Sequence, residues 1–351
     1  MKIALTADLH LSTRDAHPER FEALENIFNQ MHSEKISTLV IAGDLLDQTQ
    51  ANLADFSKLC SGAAGSGISV LVVPGNHDTQ LDPRVVTAAN VTVVTSAQEI
   101  RLEENLPPVL LLPYAPGNMG AALEPFAENL PAFGWILVGH GDYIPVMRKP
   151  HPLERGIYMP LTTRDIQVYR PRRVFLGHIH IPYDGESVHY LGSPASLDPT
   201  ETGRRRFVVY DLAADRVESR VVHAGPLRFS VELFCLPGGD ELARLRRDAE
   251  AARVAWALEP GEVERVRIRV SLRGVASNPG EMVRAAEQCF KDFPIDGGVD
   301  SSQLVFAEDL ERSRLAARVE AELDGLAWPE GGDEPTRTDI MEAALRTIYG
   351  A

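Results

Sequence analysis

Short apolar runs of strand type recur through the first half of this 351-residue chain, and the runs break off at glycine, aspartate or histidine. Residues 2–7, 38–42, 69–73, 135–138 and 173–176 are such runs. They lead into Asp8-Leu9-His10, Gly43-Asp44, Gly75-Asn76-His77-Asp78, Gly139-His140 and Gly177-His178-Ile179-His180. Between the first three lie helix-like segments. In residues 18–33, Phe21, Leu24, Ile27, Phe28 and Met31 recur at spacings of three and four, and residues 53–64 read as a second helix. Near-continuous apolar strands separated by helices predict an α/β sheet covered on both faces.

Further apolar runs follow at 91–94 and 109–112. Past Gly177 the pattern becomes strand-rich, at 188–191, 207–212 and 217–222. These late strands read as a second sheet, so the expected fold for residues 1–225 is a β-sandwich flanked by helices. A break is expected near Gly225-Pro226. Residues 226–308 then read as a small α/β module. Its strand at 264–272 alternates Val266, Ile268, Val270 and Leu272 with Arg265, Arg267 and Arg269. Asn278 is a good N-cap ahead of Pro279, and a last strand is expected at 303–307. Residues 309–351 read as a charged helical segment, interrupted at 328–333 and ending in an amphipathic helix.

Asp, Asn and His are costly to bury unless they pair or bind a metal. At strand ends, beside glycine, the five motifs can hold two divalent ions a few ångströms apart, the arrangement used for phosphoester cleavage. Asp8 and His10, two apart in an extended strand end, would point the same way and reach one ion. Asp44, turned by Gly43, could bridge two ions. Asn76 offers a neutral oxygen. His77 would be aimed into the site, with Asp78 holding it in one tautomer. His140, His178 and His180 arrive from further strand ends. This nitrogen and oxygen set suits Mn²⁺, Fe²⁺ or Zn²⁺.

These motifs resemble those of the calcineurin-like metallophosphoesterase superfamily, in the order Asp-x-His, Gly-Asp, Gly-Asn-His-Asp, a lone His and Gly-His-x-His. The resemblance implies one ion on Asp8, His10, Asp44 and His180 and a second on Asp44, Asn76, His140 and His178. It implies that His77 assists the leaving oxygen or the transition state, while a hydroxide shared by the ions attacks phosphorus. Within the superfamily the chain is similar to the SbcD type, nuclease subunits acting in DNA repair. Arg20-Phe21 after the first motif, and Tyr190-Leu191-Gly192-Ser193-Pro194 after the last, carry that likeness. It implies a manganese-dependent exonuclease and endonuclease, a DNA-binding cap after residue 226, and C-terminal helices that dock an SbcC-type coiled-coil ATPase. Ser12 departs from the glycine that the family commonly has there. The alternative is a small-molecule or cyclic-nucleotide phosphodiesterase.

The formal charge of −15 excludes a general nucleic-acid coat protein, since DNA affinity comes largely from neutralised phosphates. Local arginines can oppose that sign. Arg204-Arg205-Arg206, in a turn, could grip a phosphate backbone or be a solvated loop. DNA is therefore an expected partner, a homodimer is admitted, and a membrane is not expected. Three well-separated cysteines without zinc spacing, and no signal peptide, point to a cytoplasmic protein.

Overall fold

The computed structural model describes residues 1–47, 53–144, 156–238, 240–307, 310–328 and 335–349. The chain divides into two compact units, Met1–Pro226 and Leu227–Ala351.

In chain order the first unit contains β1 (Lys2–Thr6), α1 (Pro18–Ser33), β2 (Thr38–Ala42), α2 (Leu53–Ser61), β3 (Ser69–Val73), β4 (Val91–Val93), β5 (Gln98–Ile100) and β6 (Val109–Leu112). There follow α3 (Met119–Leu123), β7 (Ile136–His140), β8 (Tyr143–Ile144), β9 (Leu161–Thr162), α4 (Thr163–Tyr169), β10 (Arg173–Gly177), β11 (Tyr183–Asp184), β12 (Val188–Tyr190), β13 (Arg206–Asp211) and β14 (Arg216–Val221). Two six-stranded sheets result, ordered β14-β13-β1-β2-β3-β4 and β11-β12-β10-β7-β6-β5.

Side-chain alternation along the strands makes the layers. Ile3, Leu5, Val40 and Ala42 from one sheet meet Val109, Leu111, Ile136, Val138 and Phe175 from the other in the core between them. On the outer face of the first sheet, Leu39, Ile41, Val70 and Val72 pack against Phe21, Leu24, Ile27, Phe28 and Met31 of α1 and Phe56 of α2. On the outer face of the second, Leu110, Leu137, Val174 and Leu176 pack against Met119 and Leu123 of α3. Each fully buried Leu, Ile or Phe contributes roughly 1.5–3 kcal/mol. The central strands are thus apolar on both faces because both faces are covered.

The late strands are distributed differently from expectation. β12 joins the second sheet beside β10, whereas β13 and β14 join the first, with β13 antiparallel to β1. The second sheet is built mainly from residues before Gly177. An apolar run carries no mark of which of two stacked sheets it enters, so the order of the chain was a poor guide.

The second unit has three parallel strands, β15 (Leu227–Cys235), β16 (Val266–Ala276) and β17 (Ile295–Phe306), in that order. Two helices, α5 (Glu241–Ala255) and α6 (Pro279–Cys289), supply the crossovers and cover one face, where Val266, Ile268, Val270 and Leu272 meet Leu245, Ala249, Met282 and Phe290. Asn278 caps α6 through its side chain, accepting from Glu281 N–H at 3.1 Å. Arg265 lies in a 3-10 turn ahead of β16, so the arginine stripe begins at Arg267. β17 starts eight residues earlier than the expected 303. Gly297 and Gly298, with φ of 80° and 77°, lie inside the strand beside a register shift. Two last helices, α7 (Leu310–Asp324) and α8 (Arg337–Tyr349), bury Ala316, Leu323, Met341 and Leu345 against Leu236 and Val275 of the same unit. Past Trp328, the break expected at 328–333 falls outside the described residues. No helix among the described residues is long and apolar enough to cross a membrane.

Candidate metal centre

Strands β1, β2 and β3 run parallel, and so do β7 and β10. Their carboxyl ends, where open α/β sheets place ligands, each deliver one motif. The loops after β1 and β2 lie side by side: Asp8 N–H donates to Gly43 O (3.0 Å), His10 N–H to Asp44 O (2.9 Å) and Leu11 N–H to Leu45 O (2.8 Å).

Asp8 and His10 do not sit in an extended strand end. β1 stops at Thr6, and Asp8 (φ 53°) and His10 (φ 43°) are left-handed, as are Asp44 (φ 50°) and His178 (φ 90°). Four non-glycine residues in that region cost energy that the surrounding contacts must offset, a pattern found at functional sites. Arg20, buried at the start of α1, helps to hold the first bend by donating to His10 O.

All seven expected ligands converge. His10, Asp44 and His77 form a group whose nitrogen and oxygen atoms lie within 4.8 Å of one another, and so do the two groups Asp8, His10 and His180, and Asp44, His140 and His178. Asp44 Oδ2 stands between them, 3.6 Å from His10 Nε2 and 3.3 Å from His140 Nε2. Asn76 Oδ1 is 2.8 Å from His140 Nε2 and 3.2 Å from His178 Nδ1. Asp8 Oδ1 accepts from His178 N–H at 2.9 Å, which ties the ends of β1 and β10.

The arrangement fits cations. Asp8 Oδ2 and His10 Nε2 are buried without a hydrogen-bond partner, which is costly unless an ion fills the gap. His140 donates from Nδ1 to Ala42 O (3.0 Å), so its Nε2 lone pair, when the ring is neutral, faces two oxygens. Such a nitrogen must take a proton or face a metal. Burial opposes the charged ring, but Asp44 and Asp8 outweigh it and push His140 up to about 10. Burial also opposes the Asp44 carboxylate, yet the imidazoles around it hold its pKa well below the usual range. Asp8, wholly buried, is pushed up by desolvation against the pull of the same rings.

His77 stands beside His10, ring centroids 4.9 Å apart, and its N–H donates to Asp44 Oδ1 at 3.0 Å. Asp78 does not orient it. Its carboxylate accepts from Gly75 N–H (2.5 Å), Leu45 N–H (2.7 Å) and Leu46 N–H (3.3 Å), clamping the third motif to the second. Burial and the nearby Asp44 charge push Asp78 up to about 6. It is the Asp47 carbonyl that accepts from His77 Nδ1, at 2.9 Å.

Close packing makes Gly43 indispensable. Its φ is 93°, and a Cβ there would strike the His140 ring. We expect Gly43→Ala to cost about 3 kcal/mol or more. In a unit of this size that lowers the thermal midpoint by about 10 °C. A melting curve within a degree or two of wild type would contradict this.

Several supporting residues escape sequence reading. Asp47 Oδ1 lies 3.6 Å from His10 Nδ1, and Asp142 Oδ2 lies 3.8 Å from His178 Nε2. The ring of Tyr158 is 4.8 Å from that of His178, and its N–H donates to Asp142 Oδ2 at 2.8 Å. Glu201 Oε1 accepts from His180 Nδ1 at 2.8 Å. The arginine run is not a solvated loop: Arg205 is buried next to Glu201, and Arg206 opens β13 and pairs with Asp184. These partners are single residues in unpatterned stretches. Among them only Arg205 and Arg206 lie in a sequence motif, the arginine run.

A sandwich with paired carboxylates and imidazoles at its strand ends is the architecture of metal-dependent phosphoesterases. The calcineurin-like phosphoesterase family model matches residues 1–198, and the chain belongs to that family. No curated protein matches it. Among solved structures it is similar to GAP50, the anchor in the inner membrane complex of Plasmodium, with 13% identity and a TM-score of 0.42. That match covers 63% of this chain and 84% of the other.

Proposed function

We propose that this chain is a two-metal phosphodiesterase, and a manganese-dependent DNA nuclease of the SbcD type. The observation that carries the two-metal reading is Asp44 Oδ2, set between the His10 and His140 nitrogens. Asp8, His10, Asp44 and His180 would hold one ion, and Asp44, Asn76, His140 and His178 the other. Two such ions supply an activated water and polarise the phosphoryl oxygens. The protein fixes the rest. Asp44 keeps the two groups together and orients the His77 backbone. Asp47 O fixes the proton of neutral His77 on Nδ1, which leaves Nε2 to carry and release the proton that the departing oxygen needs.

The nuclease assignment is supported by the SbcD-like motifs and by an α/β unit with Arg267 and Arg269 on one strand face. A second reading, a small-molecule or cyclic-nucleotide phosphodiesterase, is favoured by the pairing of arginines in that unit. Arg228 binds Asp296 at 2.7 Å, and Arg273 binds Glu232 at 2.9 Å, so less positive charge remains for a phosphate backbone. An SbcC-type coiled-coil ATPase is the protein partner that the nuclease reading expects.

The test is one assay on purified protein with Mn²⁺: linear duplex DNA beside bis-p-nitrophenyl phosphate and cyclic nucleotides. DNA degradation abolished by chelator is the expected result. Turnover of cyclic nucleotides without any cleavage of DNA would replace the nuclease by the second reading.

A further inference from the structure

We infer that Glu201 is the positioning residue for His180, and that through it the protein sets the strength of one of the two metal sites. This rests on the two-metal reading above. The Glu201 carboxylate is an acceptor, so the 2.8 Å contact means that His180 donates from Nδ1. That leaves Nε2 with its lone pair for the group formed with Asp8 and His10. A carboxylate behind the ring makes the imidazole a stronger ligand than a carbonyl does. His140 has a carbonyl in that place, Ala42 O.

Glu201 is itself tightly held, at 5% exposure. Its Oε2 accepts from Leu197 N–H (3.0 Å) and Ser193 Oγ (3.2 Å) and lies 3.6 Å from Arg205 Nη2. Arg205, 4% exposed, donates from Nε to Ser193 O (2.9 Å) and from Nη2 to Ser193 Oγ (2.7 Å) and to His180 O. One guanidinium therefore grips both the backbone of His180 and the carboxylate that orients its ring. A buried ion pair kept only for packing would not need to close on the same histidine from both sides.

The test is calorimetric titration of the metal-free full chain with Mn²⁺, with circular dichroism confirming the fold. Wild type should take two ions. Glu201→Gln should weaken one of them roughly 10–100-fold and leave the other nearly unchanged. In a His180→Ala background the same change should add no further loss, because Glu201 acts through that ring. Glu201→Asp keeps the charge facing Arg205 but falls short of His180, and should show the same selective weakening if the glutamine variant does not fold. Unchanged affinity in a folded Glu201 variant, or losses that multiply in the double variant, would overturn the inference while leaving the two-metal reading intact. A wild-type protein that takes up no divalent ion would overturn both.

Discussion

Asp44→Asn should strip the proposed two-metal centre of its paired ions. Manganese retained after dialysis is expected to fall from two per chain to one or fewer, and hydrolysis of bis-p-nitrophenyl phosphate by about a thousand-fold or more. The estimate starts from the 10²–10³ that a single well-placed stabilising group contributes to a hydrolytic transition state. It is raised because Asp44 Oδ2 faces both imidazole groups. The asparagine has nearly the same volume and can still accept the His77 N–H through Oδ1. What it removes is negative charge at an oxygen that faces both His10 Nε2 and His140 Nε2. The contrast with His180→Ala is informative. His180 belongs to one group, so its loss should weaken the binding of one ion without removing it and leave the other nearly unchanged. Metal content by mass spectrometry, with dichroism as a check on the fold, distinguishes these outcomes. Two ions retained in Asp44→Asn, with turnover within ten-fold of wild type, would remove the bridging role.

The parts of this site that could be read from sequence are those in which chain geometry and chemistry coincide. An apolar strand must be buried, its carboxyl end must leave the sheet, and an Asp or His just past that end has few reasons to be there other than a ligand. That Asp44, Asn76, His140, His178 and His180 come together at the strand ends was legible on that ground. The backbone that aims them was not. Asp8-Leu9-His10 is compatible with an extended end, yet it adopts left-handed turns stabilised by ties to Gly43, Asp44 and Leu45 and by Arg20, contacts made across tens of residues or by another element. Asp78 shows the converse error. Adjacency to His77 suggested that it orients the ring, whereas three backbone N–H groups claim its carboxylate. Sheet membership failed for a similar reason. Val208 and Tyr210 of β13 face the core between the sheets together with Ile3 and Leu5, and alternation in sequence looks the same whichever sheet receives the strand.

His77→Ala should keep both ions and lose most of the turnover, by an amount that depends on what leaves. His77 stands beside His10, is tied by its backbone to Asp44 and forms a group with these two, but it belongs to neither of the ligand sets that the proposed two-metal reading uses. Metal content should therefore stay at two. If Nε2 passes a proton to the departing oxygen, the loss should be large for DNA or an alkyl phosphodiester, whose alkoxide is a poor leaving group. About a hundred- to ten-thousand-fold is the usual scale for general acid catalysis. With bis-p-nitrophenyl phosphate the departing phenolate needs no proton, and the loss should shrink to about ten-fold or less. Initial rates on the two ester types, measured at one saturating Mn²⁺ concentration, separate this from transition-state stabilisation, which would lower both alike. The Asp47 contact adds an internal control. Because it is made through a backbone carbonyl, Asp47→Asn should leave the His77 tautomer in place and preserve the leaving-group dependence. Equal turnover of wild type and His77→Ala on both esters would show that the histidine takes no part in the reaction.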